Sequence, residues 1–209
     1  MRAYIYTGGT IDPACITEHP KGEDLLIAAD GGWRNAELLG EKPSVLLGDL
    51  DSLGEENVPK DVELFRVPAE KDLTDTQLAV ELALQRGARE IVIIGGLSGR
   101  LDHTLSNLAI LEHLEALRVH GVINDGFNRV RFLRNGSALI GRSAYPYLSL
   151  IATDPVVKGV DAEGVKYPLK NAKLRRDHQY AVSNEMTGNC AFIAVKKGGI
   201  YIVESRDAK

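Results

Sequence analysis

Hydrophobic positions in the first 120 residues come in short runs separated by amphipathic stretches. The runs Ala3–Thr7, Leu25–Ala29, Val45–Leu47, Glu63–Val67 and Ile91–Ile94 are bounded mostly by Gly, Asp or Pro and are too short for helices. They predict β-strands. Ile91-Val92-Ile93-Ile94 is apolar throughout, which suits a parallel strand covered on both faces. The clearest helix runs from Asp75 to Arg86. Thr74 and Gln77 form a T-x-x-Q capping box, Leu78, Leu82, Ala79 and Ala83 supply an apolar stripe, and Gly87 ends it. A second helix is predicted from Asp102 to Arg118, with Leu105, Leu108, Leu111, Leu114 and Leu117 at three-residue steps as its apolar face. A third, shorter one starts near Trp33 and ends at Gly40, with Trp33 packing it on the sheet. Strands alternating with helices predict an α/β unit with a largely parallel sheet.

The pattern changes after residue 120. Residues 128–134, 138–141, 147–153, 156–160, 190–196 and 199–204 are short strand candidates separated by Gly, Pro, Asn and Asp. No helical periodicity accompanies them. A smaller all-β sandwich or barrel follows the α/β part, with the boundary between Gly121 and Arg131.

Composition narrows the function classes. In 209 residues, 44% are hydrophobic and 26% charged, as in ordinary globular proteins with a real core. The net charge of −4 argues against nucleic-acid binding, and the segment Lys170–Arg176 is the nearest thing to a basic cluster, expected to be a solvated face. Cys15 and Cys190 lie far apart, outside any CxxC pair, which fits a reducing compartment. The N-terminus lacks a signal-peptide core, and no apolar stretch nears the roughly 18 residues of a membrane span. A cytoplasmic protein without membrane contact is the expectation.

Candidate chemistry sits at the strand ends. Asp30-Gly31-Gly32 follows the second strand, Gly48-Asp49-Leu50-Asp51-Ser52 the third, the acidic stretch from Pro68 to Asp75 the fourth, and Gly95 to His103 the fifth. In open α/β sheets ligands bind outside the carboxyl ends of the strands, so these segments converge there. Asp49 and Asp51, at i and i+2, point the same way in extended chain and repel unless a cation intervenes. Hard carboxylate oxygens suit Mg²⁺ bound together with substrate phosphates. Glycines let backbone N–H groups approach phosphate, and Lys71 and Arg100 add positive charge. Taken singly, Asp30-Gly31-Gly32 is also an ordinary turn, Asp75 a helix-dipole residue and Asp102 a helix cap. There is no GxxxxGK[ST] loop, no GxGxxG after a strand and no G-x-S-x-G elbow. His103 either lines the cleft or lies on the helix surface.

Six segments in order resemble the thiamine pyrophosphokinase family of bacterial type: Ala29–Gly32 (ADGG), Gly48–Ser52 (GDLDS), Pro68–Ala79, Gly95–Asn107 (GGLSGRLDHTLSN), Ser183–Gly188 (SNEMTG) and Ile202–Asp207. The resemblance implies an α/β catalytic domain with a Rossmann-like sheet over residues 1–124 and a β-sandwich domain for thiamine binding and dimerisation over 125–209. It implies transfer of a diphosphoryl group from ATP to the hydroxyl of thiamine, with Mg²⁺, in a homodimer whose active site lies at the subunit interface. Carried over by motif, Asp49, Asp51 and Asp75 form the metal and catalytic set with Arg100. Asp30, Lys71, Asp72, Thr74, Arg100 and Asp102 line the nucleotide, and Ser183 and Asn184 take the thiamine. Eukaryotic members place a tryptophan near thiamine in the second domain; this chain has none there, and Tyr180 is the candidate substitute. The alternatives are a diphosphokinase for another hydroxymethyl heterocycle, such as a pterin, and a non-catalytic nucleotide sensor.

Overall fold

The structure is a computed structural model that describes residues 1–48, 61–66 and 72–207. The chain divides into two compact units, Met1–Gly126 and Phe127–Lys209.

The first unit alternates strands and helices: β1 (Arg2–Tyr6), β2 (Leu25–Ala29), α1 (Gly32–Leu38), β3 (Val45–Gly48), β4 (Glu63–Arg66), α2 (Asp75–Gln85), β5 (Glu90–Ile94), α3 (Leu101–Ala116) and β6 (His120–Asn124). The order across the sheet is β6-β5-β1-β2-β3-β4, with every pairing parallel. The central strands β1 and β5 are apolar because both faces are covered: Ala3–Tyr6 and Ile91–Ile94 are all buried. Trp33 packs α1 against the sheet, in a cluster with Ala28 and Leu46.

β6 carried little signal in the sequence. Only Val122 and Ile123 announce it, after a glycine that looks like a turn. Gly121 belongs to the strand because a Cβ there would lie 2.9 Å from Leu111 Cδ2 and Leu114 Cδ1, so its bareness lets α3 lie on the strand.

α2 begins as the capping box predicts. Thr74 Oγ1 accepts a hydrogen bond from the Gln77 backbone N–H at 3.2 Å. Its sheet-facing positions are the small ones, Thr76, Ala79, Val80 and Ala83, and Gly87 closes it at a φ of +85°. Replacing the cap, Thr74→Ala, is expected to cost about 1 kcal/mol in denaturant-melt stability.

α3 corrects the leucine stripe. Its buried residues are Asn107, Ile110, Leu111 and Leu114, whereas Leu105 and Leu117 are exposed at 58% and 47%. A three-residue step falls about 60° short of a full turn, so five such steps wind around the helix instead of marking one face.

The second unit holds β7 (Asn128–Arg134), β8 (Ser137–Gly141), β9 (Tyr147–Ala152), β10 (Val156–Glu163), β11 (Leu169–Arg175), β12 (Asn184–Glu185), β13 (Cys190–Lys197) and β14 (Gly199–Ser205). One sheet runs β12-β9-β14-β7, the other β11-β10-β13-β8, and all these pairings are antiparallel. Both contribute to one apolar cluster, Leu148, Leu150, Ile200 and Ile202 from the first sheet and Val157, Val160, Ile193 and Val195 from the second. A single core fed by two sheets is a sandwich. The basic segment beginning at Lys170 lies largely within an edge strand, β11, which the sequence pattern did not reveal. Leu174 is buried while Lys170, Lys173 and Arg175 are exposed, and lysines on an edge discourage pairing with other chains. Glu204 of the Ile202–Asp207 segment is buried and held by Arg129 at 3.0 Å, by Arg131, and by Ser143 Oγ at 2.8 Å. Among the described residues no helix is long and apolar enough to cross a membrane.

Candidate active site

A cleft of about 310 Å³ opens at the carboxyl ends of the parallel strands of the first unit. Two glycine-rich turns make one wall: residues 7–9, after β1, and Gly96 to Ser98, after β5. They are sewn together. Ser98 Oγ accepts from the Thr10 N–H at 2.8 Å, and the Gly96 N–H donates to Gly8 O at 3.3 Å. Two buried asparagines fix the turns from behind. Asn35 of α1 donates to Thr7 O at 2.7 Å and Gly9 O at 3.0 Å, and Asn107 of α3 donates to Gly96 O at 2.9 Å. The bonds to Thr7 O and Gly96 O give partners to buried carbonyls, and the bond to Gly9 O ties down the exposed tip of its turn.

Charged groups complete the lining. Asp30, just after β2, sits at a φ of +46°, a left-handed conformation that aspartate tolerates better than most residues. Thr74 and Asp75 enter from the start of α2, and Arg100 from the start of α3. Arg100 holds Asp102 in a two-pronged pair, Nε to Oδ1 at 3.1 Å and Nη2 to Oδ2 at 2.6 Å. That pair pushes the Asp102 carboxyl below the usual carboxylate range and the Arg100 guanidinium above its ordinary value.

The structure therefore brings four of the nominated residues into one cleft: Asp30, Thr74, Asp75 and Arg100. Asp102 reaches it through Arg100 and is not in the wall. Asp72 is exposed and also outside the wall. Asp49, Asp51 and Lys71 lie outside the described residues. Ser183 and Asn184 belong to the second unit. Ser183 has a φ of +54°, and its N–H donates to Ser149 Oγ at 2.9 Å. Asn184 borders an apolar pocket of about 100 Å³ with Tyr167, Tyr180 and Leu148. Its amide is already committed to Tyr167, donating to the carbonyl at 2.8 Å and accepting from the N–H at 3.0 Å.

The first glycine turn escaped the sequence reading, although Thr7-Gly8-Gly9-Thr10 carries the same strand-then-glycine signal as the segments that were selected. Asn35 and Asn107 gave no readable signal, since an asparagine in an amphipathic helix looks like a surface residue. His103 does line the cleft, while remaining exposed on α3.

A polar cleft at the carboxyl edge of a parallel sheet, with carboxylates, a guanidinium and paired glycine turns, lies where such sheets bind ligands and offers backbone N–H groups suited to an anion. Comparison with known proteins is specific. The family model for the thiamin pyrophosphokinase catalytic domain matches residues 17–123, and that for the thiamin pyrophosphokinase vitamin B1 binding domain matches residues 138–200. The chain belongs to the thiamin pyrophosphokinase family. It is 27% identical over 197 residues to thiamine pyrophosphokinase of Bacillus subtilis, covering 92% of each chain. It is 26% identical over 192 residues to thiamin pyrophosphokinase 1 of Caenorhabditis elegans, covering 85% of this chain and 78% of that one. The crystal structure of the Bacillus subtilis protein superposes with a TM-score of 0.88 over 100% of both chains at 25% identity. That of a thiamin pyrophosphokinase family protein from Enterococcus faecalis gives 0.83 over 100% of both at 30%. The chain is thus an enzyme of thiamine diphosphate formation.

Proposed function

We propose that this cleft binds ATP and that the chain transfers its terminal diphosphoryl group to the hydroxyl of thiamine, giving thiamine diphosphate and AMP. The observation that carries the assignment of the cleft is the convergence of Asp30, Thr74, Asp75 and Arg100 on two interlocked glycine turns. Carboxylates alone would repel a polyphosphate, while glycine turns and a guanidinium attract one.

The donor set suits a hard divalent cation. Among the described residues no group of three or more acidic, histidine or cysteine side chains is gathered closely enough to hold a metal. The cleft does supply Asp30 and Asp75, hard oxygen donors of the kind Mg²⁺ takes together with substrate phosphates. Asp49, Asp51 and Asp75 are the residues proposed to hold Mg²⁺, which when bound neutralises polyphosphate charge and orients it. Thr74 and Asp30 border the nucleotide. Arg100 and Lys71 offset charge on the transferring group and on departing AMP. The thiamine hydroxyl oxygen forms a bond to the β-phosphorus as the bond from that phosphorus to the AMP oxygen breaks, and the hydroxyl proton passes to water. Positioning and electrostatics carry such a transfer.

In this reading the first unit is a Rossmann-like nucleotide-binding domain. The second recognises thiamine near Ser183 and Asn184, and the enzyme works in the cytoplasm as a homodimer with its active site at the subunit interface. A coupled assay for AMP tests the reaction. Thiamine is expected to trigger AMP release only with a divalent cation present, and chelation to stop it. Release with a hydroxymethylpterin but not thiamine would move the substrate to that class, and ATP binding without AMP release would make the chain a sensor.

A further inference from the structure

His103 and Asn107 of α3, four residues apart on one helix face, line the cleft together with Arg100, which caps the start of that helix. Two of the three are committed. Asn107 donates to Gly96 O, and Arg100 spends Nε and Nη2 on Asp102. The His103 backbone N–H donates to Asp102 Oδ1 at 2.9 Å, but its imidazole has no hydrogen-bond or ion-pair partner among the described residues. Asp102 takes its hydrogen bonds from Arg100 and the helix backbone, and the imidazole attracts it without bonding to it, so the ring nitrogens can still bond to what enters the cleft.

The other charged groups in the described wall sharpen what it can meet. Asp30 and Asp75 are acceptors, so the side-chain donors a phosphate chain can meet in the described wall are hydroxyls, such as Thr74 and Thr76, and the nitrogen groups of Arg100, His103 and Asn107. Imidazole always carries at least one N–H, in either protonation state. We infer that His103 donates a hydrogen bond to the phosphate chain of the bound nucleotide, beside Arg100, and is a substrate-contacting residue of the cleft. This rests on the reading of the cleft as the nucleotide site. A histidine merely solvated on a helix surface would make no difference to nucleotide affinity.

The test compares His103→Ala and His103→Gln with the unaltered chain, by calorimetric titration with ATP and by AMP-release kinetics. His103→Ala is expected to weaken ATP binding and raise KM for ATP about tenfold, the scale of a hydrogen bond to a charged group, with KM for thiamine and the melting temperature unchanged. His103→Gln keeps an N–H donor near the same place and is expected to recover most of the affinity. Wild-type ATP affinity in His103→Ala, or an equal rise in both KM values without rescue by Gln, overturns the inference. If the unaltered chain binds no ATP, the nucleotide reading of the cleft and this inference fall together. If it binds ATP without forming thiamine diphosphate, only the reaction assignment falls, and the ATP titrations still decide the role of His103.

Discussion

Asp75→Asn is expected to lower AMP release from ATP and thiamine by roughly 10²–10³-fold, the range seen when one preorganised electrostatic group is removed from a catalytic site. Two roles compete for this carboxylate. It lies in the first turn of α2, where a negative charge favours the helix N-terminus, and it borders the cleft. The dipole role is worth about 0.3–1 kcal/mol of stability and nothing in turnover. The metal-and-phosphate role leaves the fold almost untouched and reduces turnover. The substitution keeps the shape of the side chain and removes its charge, so the two roles separate cleanly. Activity measured against Mg²⁺ concentration adds a second readout, because the half-saturating concentration is expected to rise in the variant. Near wild-type turnover, with a small loss of melting temperature, would reduce Asp75 to a helix residue and remove it from the proposed metal set.

The same contrast explains how much of this molecule the chain made legible. Strands buried on both faces write an unbroken apolar run, so β5 and β2 could be found from Ile91–Ile94 and Leu25–Ala29 alone. Strands that bury one face or sit at an edge write a diluted signal. β11 alternates Leu174 with lysines and arginine and passed for a basic surface, while β6 hides behind Gly121 and the end of α3. Repeat counting misled on α3, where leucine spacing suggested one face and packing chose Asn107, Ile110, Leu111 and Leu114. The cleft was legible at its charged residues, Asp30, Asp75 and Arg100. It was illegible where the fold needs only a partner for a carbonyl, as at Asn35 and Asn107. Those two residues act on the backbone of distant turns, across 26 or 28 positions for Asn35 and 11 for Asn107, and no local pattern encodes that.

Glycine shows the same limit, and here the expected effect is on folding. Gly31 and Gly32 stand side by side after Asp30 and look equivalent as letters. In the fold they are not. A Cβ on Gly32 would lie 1.9 Å from Tyr6 O and 2.3 Å from the Tyr6 carbonyl carbon, both backbone atoms at the end of β1. A Cβ on Gly31 meets nothing within 4 Å among the described residues, and its φ is −59°. Gly31→Ala is therefore expected to be near neutral, or to stabilise by up to about 1 kcal/mol through the unfolded chain. Gly32→Ala is expected to cost about 3 kcal/mol or more. Neither a strand buried on both faces nor the first turn of α1 can yield without moving the residues around it. Chemical denaturation of both variants measures the difference. The displacement would reach the cleft, since Tyr6 leads directly into Thr7 and Gly8, and Gly32 follows Asp30 by two residues. A well-folded Gly32→Ala with unchanged stability would mean that β1 and α1 do not approach this closely. In that case the wall of the cleft formed by residues 7–9 would not stand where it must to face Asp30 and Asp75.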